Sequence, residues 1–384
     1  MRKIISSLAA ALTSVSFAAA QAPKPTPDVL IFTNGDQLTG KLTSASGGNV
    51  VFHSDMAGDL TIGFDKIKEL RSGSAASQFA ILKKGVPVTK QAAPEGTVEL
   101  ANGDLTVSPA GAAPVTVKPA EVAYLIDKAT YDKAMAHKAG ALQGWDGAIS
   151  GGATIVRATQ TGTTLTAGVN LVRAIPGVAW MPMRNKTLIN VAESYGQLST
   201  PVIPPTVPAT PATVVKTSIF HAGFERDEYF TPRMFALADL SVDHNFSQGL
   251  QVQQVYGGGI GWTPVQSGKQ QFDVKVDFHY EEQQFIQTVG AAFMPNVKLF
   301  GSTFAEAYHR MLPRKMVFTE MGNYLPGWTD STAYSANVTA SLALPVFKRL
   351  SASVSTTDNY LNNPAQYYKK NSYQFITGVT YTLH

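Results

Sequence analysis

The residues with the clearest chemical pattern alternate along one stretch, 272–281. Its polar members are Asp273, Lys275, Asp277, His279 and Glu281, and its apolar members are Phe272, Val274, Val276, Phe278 and Tyr280. Successive side chains of a β-strand point to opposite faces, so one face carries all the charge and the other is apolar. The charged face could line a path for small solutes. It could instead fill an interior with mutually paired ions, as buried charges require, and this second interpretation is slightly favoured.

A serine and a histidine at short spacing could carry hydrolytic chemistry. A lipid hydrolase needs a serine beside a histidine that a third group orients. The region 145–384 contains His221, His244, His279, His309 and His384. His244 comes three residues before Ser247, but the four residues 244–247 form a predicted tight turn. We therefore favour an ordinary polar turn there and expect the protein not to be an enzyme.

Metal and nucleotide sites have weak support in this sequence. Asp239 and Asp243 share a strand face, but four residues of strand separate them by about 13 Å, too far for one metal ion. The glycine-rich stretch 257–261 lies within a strand and opens no helix, so it is not a phosphate loop. Its glycines instead favour a close approach or a bend in the sheet. The sequence has no cysteine, which excludes disulfides and thiolate metal ligands, and we expect no cofactor.

These residues must be positioned by long alternating strands. The candidate strands are 147–158, 161–174, 185–195, 214–225, 232–244, 249–263, 270–283, 296–310, 315–323, 330–344, 348–357 and 371–383. A membrane barrel strand needs about 9–11 residues to cross a bilayer at a tilt, whereas soluble strands average about 5–6. The pattern predicts an all-β protein with an antiparallel transmembrane β-barrel of about twelve strands, possibly ten. Alternation alone would also fit a large soluble sandwich.

The connections between the candidate strands alternate in length, which favours the barrel. Those after odd strands include the longer stretches 196–213, 284–295, 324–329 and 358–370, and those after even strands include 226–231, 264–269, 311–314 and 345–347. Outer-membrane barrels have long outer loops and short periplasmic turns. The exceptions are 177–184, which is too long for its class, and two short outer connections. Trp180, Trp262 and Trp328 fall near strand ends, as in the aromatic girdles of such barrels.

The chain before the barrel divides into three parts. Residues 1–20 have a basic start, a short apolar stretch and small residues at 18–20, which predicts an export signal peptide. Residues 28–126 predict a small all-β domain with a degenerate repeat, because Asn-Gly-Asp occurs at 34–36 and at 102–104 before similar stretches. This domain is either a binding module or, as we favour, a duplicated meander that only folds. Residues 127–144 predict a short helical connector, whose charges (Asp127, Lys128, Asp132, Lys133, His137 and Lys138) form a solvated face.

The charge balance limits the partners. Without Arg2 and Lys3 of the signal, 29 basic residues face 27 acidic ones. This nearly neutral chain offers no strong field for nucleic acid or for acidic lipid. Charged residues make up 15% of the sequence, against about 25% in soluble domains, which fits a membrane barrel.

The region 145–384 resembles the family called domain of unknown function 481, also described as salt-induced outer-membrane proteins. The resemblance is carried by Trp145-Asp146-Gly147, by Arg173, by 224–235 with Asp227-Glu228-Tyr229-Phe230 before Arg233, by the glycines of 257–261, by 277–282, and by 359–383 with Pro364. It implies an outer-membrane barrel. It implies no activity and carries over no functional residue, because the family has no agreed activity. Separately, the even number of candidate strands predicts that both chain ends, and with them the 28–126 domain, lie on the periplasmic side.

Three functions follow as hypotheses. The first is a non-enzymatic barrel, porin-like, that passes small solutes or maintains the cell envelope of a Gram-negative bacterium. The second is an outer-membrane enzyme acting on lipid or glycan. The third is a structural or adhesive barrel that binds a partner through outer loops, especially 196–213 and 358–370. Outer-membrane lipid and the barrel-insertion machinery are the expected partners in all three.

Overall fold

A computed structural model describes residues 26–73, 77–86, 88, 91–136, 140–157, 161–200, 213–287 and 293–383. The predicted export signal at 1–20 lies outside the described residues. The chain divides near residue 137 into two compact units. No helix within the described ranges is both long and apolar enough to cross a bilayer.

The first unit is a small all-β fold. Its strands are β1 (Asp28–Phe32), β2 (Gln37–Ser46), β3 (Asn49–Ser54), β4 (Gly58–Gly63), β5 (Ile67–Arg71), β6 (Phe79–Lys83), β7 (Glu95–Ala101), β8 (Asp104–Ser108), β9 (Val115–Val117) and β10 (Val122–Asp127). Six of them pair in the order β1-β5-β7-β6-β10-β2, and β2 pairs again with β1, so they form a closed six-stranded barrel. The hairpin β3–β4 extends from β2, and β8–β9 extends from β7. The core is apolar, with Leu30, Phe52, Leu70, Phe79, Leu105 and Leu125 fully buried.

The two halves of this unit share a local arrangement. The turn with Gly35 joins β1 to β2, and the turn of Asn102 and Gly103 joins β7 to β8. Asn102 and Gly103 both have positive φ, which type I′ hairpin turns require. Each half then closes with a 3₁₀ turn, at Phe64–Lys66 and at Pro119–Glu121, followed directly by a strand. The sequence repeat therefore corresponds to a structural one.

The helix α1 (Lys128–Ala136) follows β10. Asp127 accepts a hydrogen bond from the backbone N–H of Thr130 at 3.1 Å and so caps the helix. Lys128 bonds to Glu95 and lies 3.0 Å from Asp132, and these hydrogen bonds, Glu95 first, raise the pKa of the Lys128 ammonium group. Lys128 is therefore ion-paired, where the sequence predicted a solvated charge. The predicted end of the helix at 137–139 lies outside the described residues.

The second unit is a closed antiparallel barrel of twelve strands. They are β11 (Trp145–Arg157), β12 (Thr161–Ile175), β13 (Asn185–Thr200), β14 (Thr213–Tyr229), β15 (Met234–Asn245), β16 (Leu250–Gln266), β17 (Gln270–Phe285), β18 (Val297–Met311), β19 (Val317–Pro326), β20 (Tyr334–Phe347), β21 (Leu350–Leu361) and β22 (Asn371–Leu383). They pair in chain order, and β22 closes on β11. The predicted all-β fold and its twelve-stranded barrel are confirmed.

The strands extend beyond several predicted ends, mainly at the rims. The hairpin of β13 and β14 pairs without interruption up to Thr200 and Thr213. The connections 230–233, 267–269, 312–316 and 348–349 lie at one end, which we call the turn end. The connections 246–249, 327–333 and 362–370 lie at the other, which we call the loop end.

Exposure shows which face of the barrel wall points inward. On β17, the Phe278 side chain is 64% exposed, whereas the neighbouring His279 is 3% exposed. Directly paired residues of an antiparallel sheet share a face, so the register carries this assignment around the barrel. The apolar rows Tyr334 to Leu344 and Phe375 to Leu383 point outward, with Val338, Phe375 and Val379 exposed. The interior is therefore polar and the outer wall apolar.

The glycines of β16 allow inward side chains to approach the wall. A Cβ on Gly261 would lie 2.1 Å from the ring of Phe235, and one on Gly257 would lie 2.6 Å from Asp239 Oδ1. Outward-facing Gly258 has its nearest neighbour at 3.5 Å, an ordinary contact. The predicted close approach at 257–261 is confirmed at the inward positions.

The two kinds of glycine make a matched pair of variants. We expect Gly261→Ala to destabilise the barrel by about 1–3 kcal/mol, because the added methyl group overlaps the buried Phe235 ring. Gly258→Ala should change stability by less than about 1 kcal/mol. The heat-modifiable gel band of membrane fractions, followed over increasing temperature, measures the difference. Equal midpoints for the two variants would contradict this packing.

Candidate functional site: the barrel interior

The charged row of β17 lies on the inner face of the barrel wall. Asp273, Asp277, His279 and Glu281 are buried, and Lys275 is nearly so. Each of them faces partners on its own or neighbouring inward rows. The interpretation of mutually paired ions thus describes this half of the barrel better than an open charged channel.

At the turn end, one lysine joins two carboxylates from different strands. Lys186 Nζ of β13 lies 3.3 Å from Asp227 Oδ2 and 3.6 Å from Asp273 Oδ2. The same ammonium group sits 5.7 Å above the ring of Phe235, within cation–π range. Thr263 donates to Asp273 at 2.7 Å. Asp227 is fully buried, and the Lys186 ammonium group is the cation nearest to its carboxylate.

Next along β17, Lys275 pairs with Glu225 of β14 at 2.5 Å. The strands β15 and β16 lie between the two residues in the sheet. In the register, Asp239 and the inward glycines of β16 lie between them. Because these glycines have no side chain, the side chains of Lys275 and Glu225 can meet above β15 and β16. This pair therefore ties four neighbouring strands together inside the barrel.

Toward the loop end, an imidazole lies between two carboxylates of its own strand. His279 Nδ1 is 3.1 Å from Asp277 Oδ1, and its Nε2 is 3.6 Å from Glu281 Oε2. Gln253 and Gln283 both donate to Glu281, the latter at 2.7 Å. Successive inward residues from Asp277 to Gln283 thus contact one another along the strand.

Carboxylates outnumber lysines on the inward rows of β13 to β17. The seven carboxylates are Glu225, Asp227, Asp239, Asp243, Asp273, Asp277 and Glu281, and the two lysines are Lys186 and Lys275. His221, 2.5 Å from Asp243, and His279 can offset two carboxylates when they are protonated. This half of the interior remains negative in either case.

The other half of the interior is lined by hydroxyl and amide groups. Thr339 and Thr357 bond to each other at 3.0 Å, and Thr380 donates to Ser353 at 3.2 Å. Some inward side chains here are accessible to solvent. Met321 faces inward, because it pairs with Ala307, which in turn pairs with inward Asp273. Its side chain is nevertheless 51% exposed. The barrel therefore encloses accessible space on this side.

His244 and Ser247 contact different partners. The Ser247 hydroxyl donates to Asn245 Oδ1 at 2.5 Å and lies 2.8 Å from the Ser372 hydroxyl, whose proton it can accept. His244 Nε2 lies 2.7 Å from the hydroxyl of Ser218, on the outward face of the wall. No local pattern in the sequence predicts this contact, because 26 residues separate its partners.

The described residues contain no group of three or more potential metal ligands. Asp243 pairs with His221, whereas Asp239 Oδ1 has no hydrogen-bond partner in the described structure. His384 lies outside the described residues.

Removing one member of the Lys275–Glu225 pair should leave a buried charge without compensation. We expect Lys275→Met to cost about 3 kcal/mol of barrel stability, and the double variant Lys275→Met with Glu225→Gln to cost clearly less. Lys298→Met, which removes an exposed pair with Glu282, should cost less than about 1 kcal/mol. Urea unfolding in detergent micelles measures the free energy of unfolding of the three variants. A double variant as unstable as Lys275→Met alone would refute the buried-pair interpretation.

Comparisons with known proteins give distant similarities to solved structures and one family match. No curated protein matches the sequence significantly. Similar solved structures include the NanC porin in a rhombohedral crystal form (TM-score 0.34, 6% identity, 62% of this chain and 100% of that chain). Another is the transport unit of the autotransporter AIDA-I from Escherichia coli (TM-score 0.30, 11% identity, 66% of this chain and 96% of that chain). At these identities the likeness concerns fold alone.

The family match begins later in the chain than the sequence resemblance did. Residues 182–383 match, so Trp145 and Arg173, which contributed to the resemblance, lie before the matched range. The resemblance itself is confirmed. Because the match covers more than half of the chain, the protein belongs to the family described as protein of unknown function, DUF481.

Proposed function

We propose that this protein is a non-enzymatic outer-membrane barrel that passes small polar solutes and favours cations. The observation that carries the proposal is the interior: an accessible half lined by hydroxyl groups faces a half with seven carboxylates and two lysines. A twelve-stranded barrel lies between filled eight-stranded barrels and open 16–18-stranded porins, so any conductance is small. Excess negative charge in a low-dielectric wall raises the local concentration of cations.

The outward rows support membrane placement. They expose Phe278, Phe300, Phe304, Val338 and Phe375, a surface that water would disfavour and lipid would cover. In the proposed orientation the turn end faces the periplasm together with the 26–136 domain, and outer-membrane lipid surrounds the barrel. Recovery of the chain only as soluble periplasmic protein would contradict this placement.

Ion selectivity tests the passage of solutes. In a planar bilayer with a KCl gradient, we expect discrete small steps whose reversal potential has the sign of cation preference. Asp239→Asn combined with Asp243→Asn should lower the ratio of potassium to chloride permeability about twofold or more, because both carboxylates face inward. Glu306→Gln, an outward-facing carboxylate, is the matched control and should leave the ratio unchanged. Silence of the folded protein at all voltages would rule out passage.

Lipid hydrolysis is the second candidate, because a serine and a histidine meet on the outward wall near the loop end. The Ser218 hydroxyl lies 2.7 Å from His244 Nε2 and 2.6 Å from Glu193 Oε1. Phe220 and Phe246 stack on the imidazole. In hydrolysis, Ser218 Oγ would attack an ester carbonyl while His244 accepts its proton, and water would later release the acyl group.

The position of the hydroxyl proton argues against hydrolysis. Ser218 carries one proton, and a contact of 2.6 Å falls in the range of charge-assisted bonds to a carboxylate. Ser218 then donates its hydrogen bond to Glu193 and accepts a hydrogen bond from the Nε2–H group of His244. In that tautomer the imidazole presents no base to the serine.

We therefore expect no release of fatty acid from phospholipid micelles by the purified protein, and no change in Ser218→Ala or His244→Ala. Titration of the acid released in mixed micelles of phospholipid and detergent measures it, with Ser247→Ala as the control at the serine of the outer turn. Activity lost in Ser218→Ala and His244→Ala but kept in Ser247→Ala would establish hydrolysis instead.

A further inference from the structure

Two connections at the loop end come from opposite sides of the barrel. The turn 246–249 joins β15 to β16, and the loop 362–370 joins β21 to β22. The twelve strands follow one another in chain order around the ring, so these two connections are six strands apart. Any contact between them therefore crosses the mouth of the barrel.

Such contacts exist, and Gln248 is at their centre. Its side-chain amide donates to the backbone carbonyls of Asn359, at 2.9 Å, and Lys370. The backbone carbonyl of Gln248 accepts a hydrogen bond from the backbone N–H of Ala365 at 3.1 Å. Gln248 is only 2% exposed, although it lies in a four-residue turn at a barrel end, where side chains usually face water.

Apolar packing continues the contact across the mouth. Leu250 and Phe285, from one side, form a buried cluster with Leu361 and Ala365 from the other. Gly249 has a φ of +71°, and a Cβ there would lie 2.3 Å from that of Ala365. The loop therefore seats against the turn at a position that only glycine fits. The predicted outer binding loop 358–370 thus lies over the barrel instead of projecting from it.

The interior beneath the loop is covered. The inward residues Gln253, Glu281 and Gln283 lie below it on β16 and β17 and are buried. On other strands, inward Val172, His309 and Met321 are exposed. The loop 362–370 and the turn 246–249 therefore close the mouth above one part of the interior and leave other parts accessible.

We infer that the loop 362–370 is a lid over the loop end, and that Gln248 is the residue that holds it shut. The inference rests on the proposed passage of solutes and adds that exchange through the loop end requires release of Gln248. The lid is held by a few hydrogen bonds and a small apolar cluster, whereas the wall below it is held by continuous strand ladders. Once the lid lifts, water can satisfy the freed amide and carbonyl groups, so the lid opens without unfolding the barrel.

Two variants move the lid in opposite directions. Gln248→Ala removes the two side-chain hydrogen bonds to the carbonyls of Asn359 and Lys370 and should open the lid. The double variant Ser247→Cys with Ser372→Cys should lock it, because the two native hydroxyl oxygens are 2.8 Å apart and the chain has no other cysteine. Gln254→Ala, an outward glutamine of β16, is the matched control.

Two measurements on the full chain in detergent and in planar bilayers separate the lid from the passage. Hydrogen exchange of residues 362–370 should become at least tenfold faster in Gln248→Ala and stay unchanged in Gln254→Ala. Open probability in the bilayer should rise about tenfold in Gln248→Ala. The oxidised double-cysteine variant should be silent, and dithiothreitol should restore its openings.

The outcomes are distinguishable. Unchanged exchange in a folded Gln248→Ala would overturn the lid, as would equal conductance of the wild-type, Gln248→Ala and oxidised double-cysteine proteins. Faster exchange in Gln248→Ala with silence of every variant would overturn the passage of solutes and support the lid.

Discussion

Pairing of β22 with β11 is the constraint on which the second unit depends. A strand edge in hydrocarbon would leave backbone N–H and C=O groups without partners, at several kcal/mol each, so a spanning sheet must close. The closing register aligns Ile149 with Tyr381 and Gly151 with Val379, all on the outward face. Closure thereby assigns every residue of the ladder to the interior or to the outer wall, and no strand can slip by one position without exchanging the two faces.

This division into inward and outward residues determines which charged side chains must be compensated inside the barrel. Once β17 presents five ionisable residues inward, each must find compensation within reach, since water cannot reach most of them. The neighbours supply it in different ways: Lys186 and Glu225 come from other strands, whereas Asp277 and Glu281 flank His279 on the same strand. The glycines of β16 make this possible, because a wall with side chains on that row would keep the partners apart.

Alternation predicts most of the fold but little of the site. Period-2 patterns at 272–281 and 334–344 are local, so the strands and the division of each strand into a polar and an apolar face follow directly from them. The partners Lys186 and Asp273 are 87 positions apart in the chain, and only the barrel register brings them together. Sequence reasoning therefore identified the charged row but not Lys186, Glu225 or Asp227, although β14 carries a similar inward row that could have been found. The contact of His244 with Ser218 was invisible for the same reason.

The loop end of the barrel is distinguished by contacts between its connections. A short turn such as 348–349 at the other end cannot reach the barrel axis. The nine-residue connection 362–370 can span the mouth, and Gln248 and Gly249 on the far side provide the bonds and the space to seat it. Length alone does not produce this closure, since the connection 176–184 at the turn end is also nine residues long. The closure depends on the partners that Gln248 and Gly249 offer, so a substitution at either position should weaken it while leaving the strand ladders below intact.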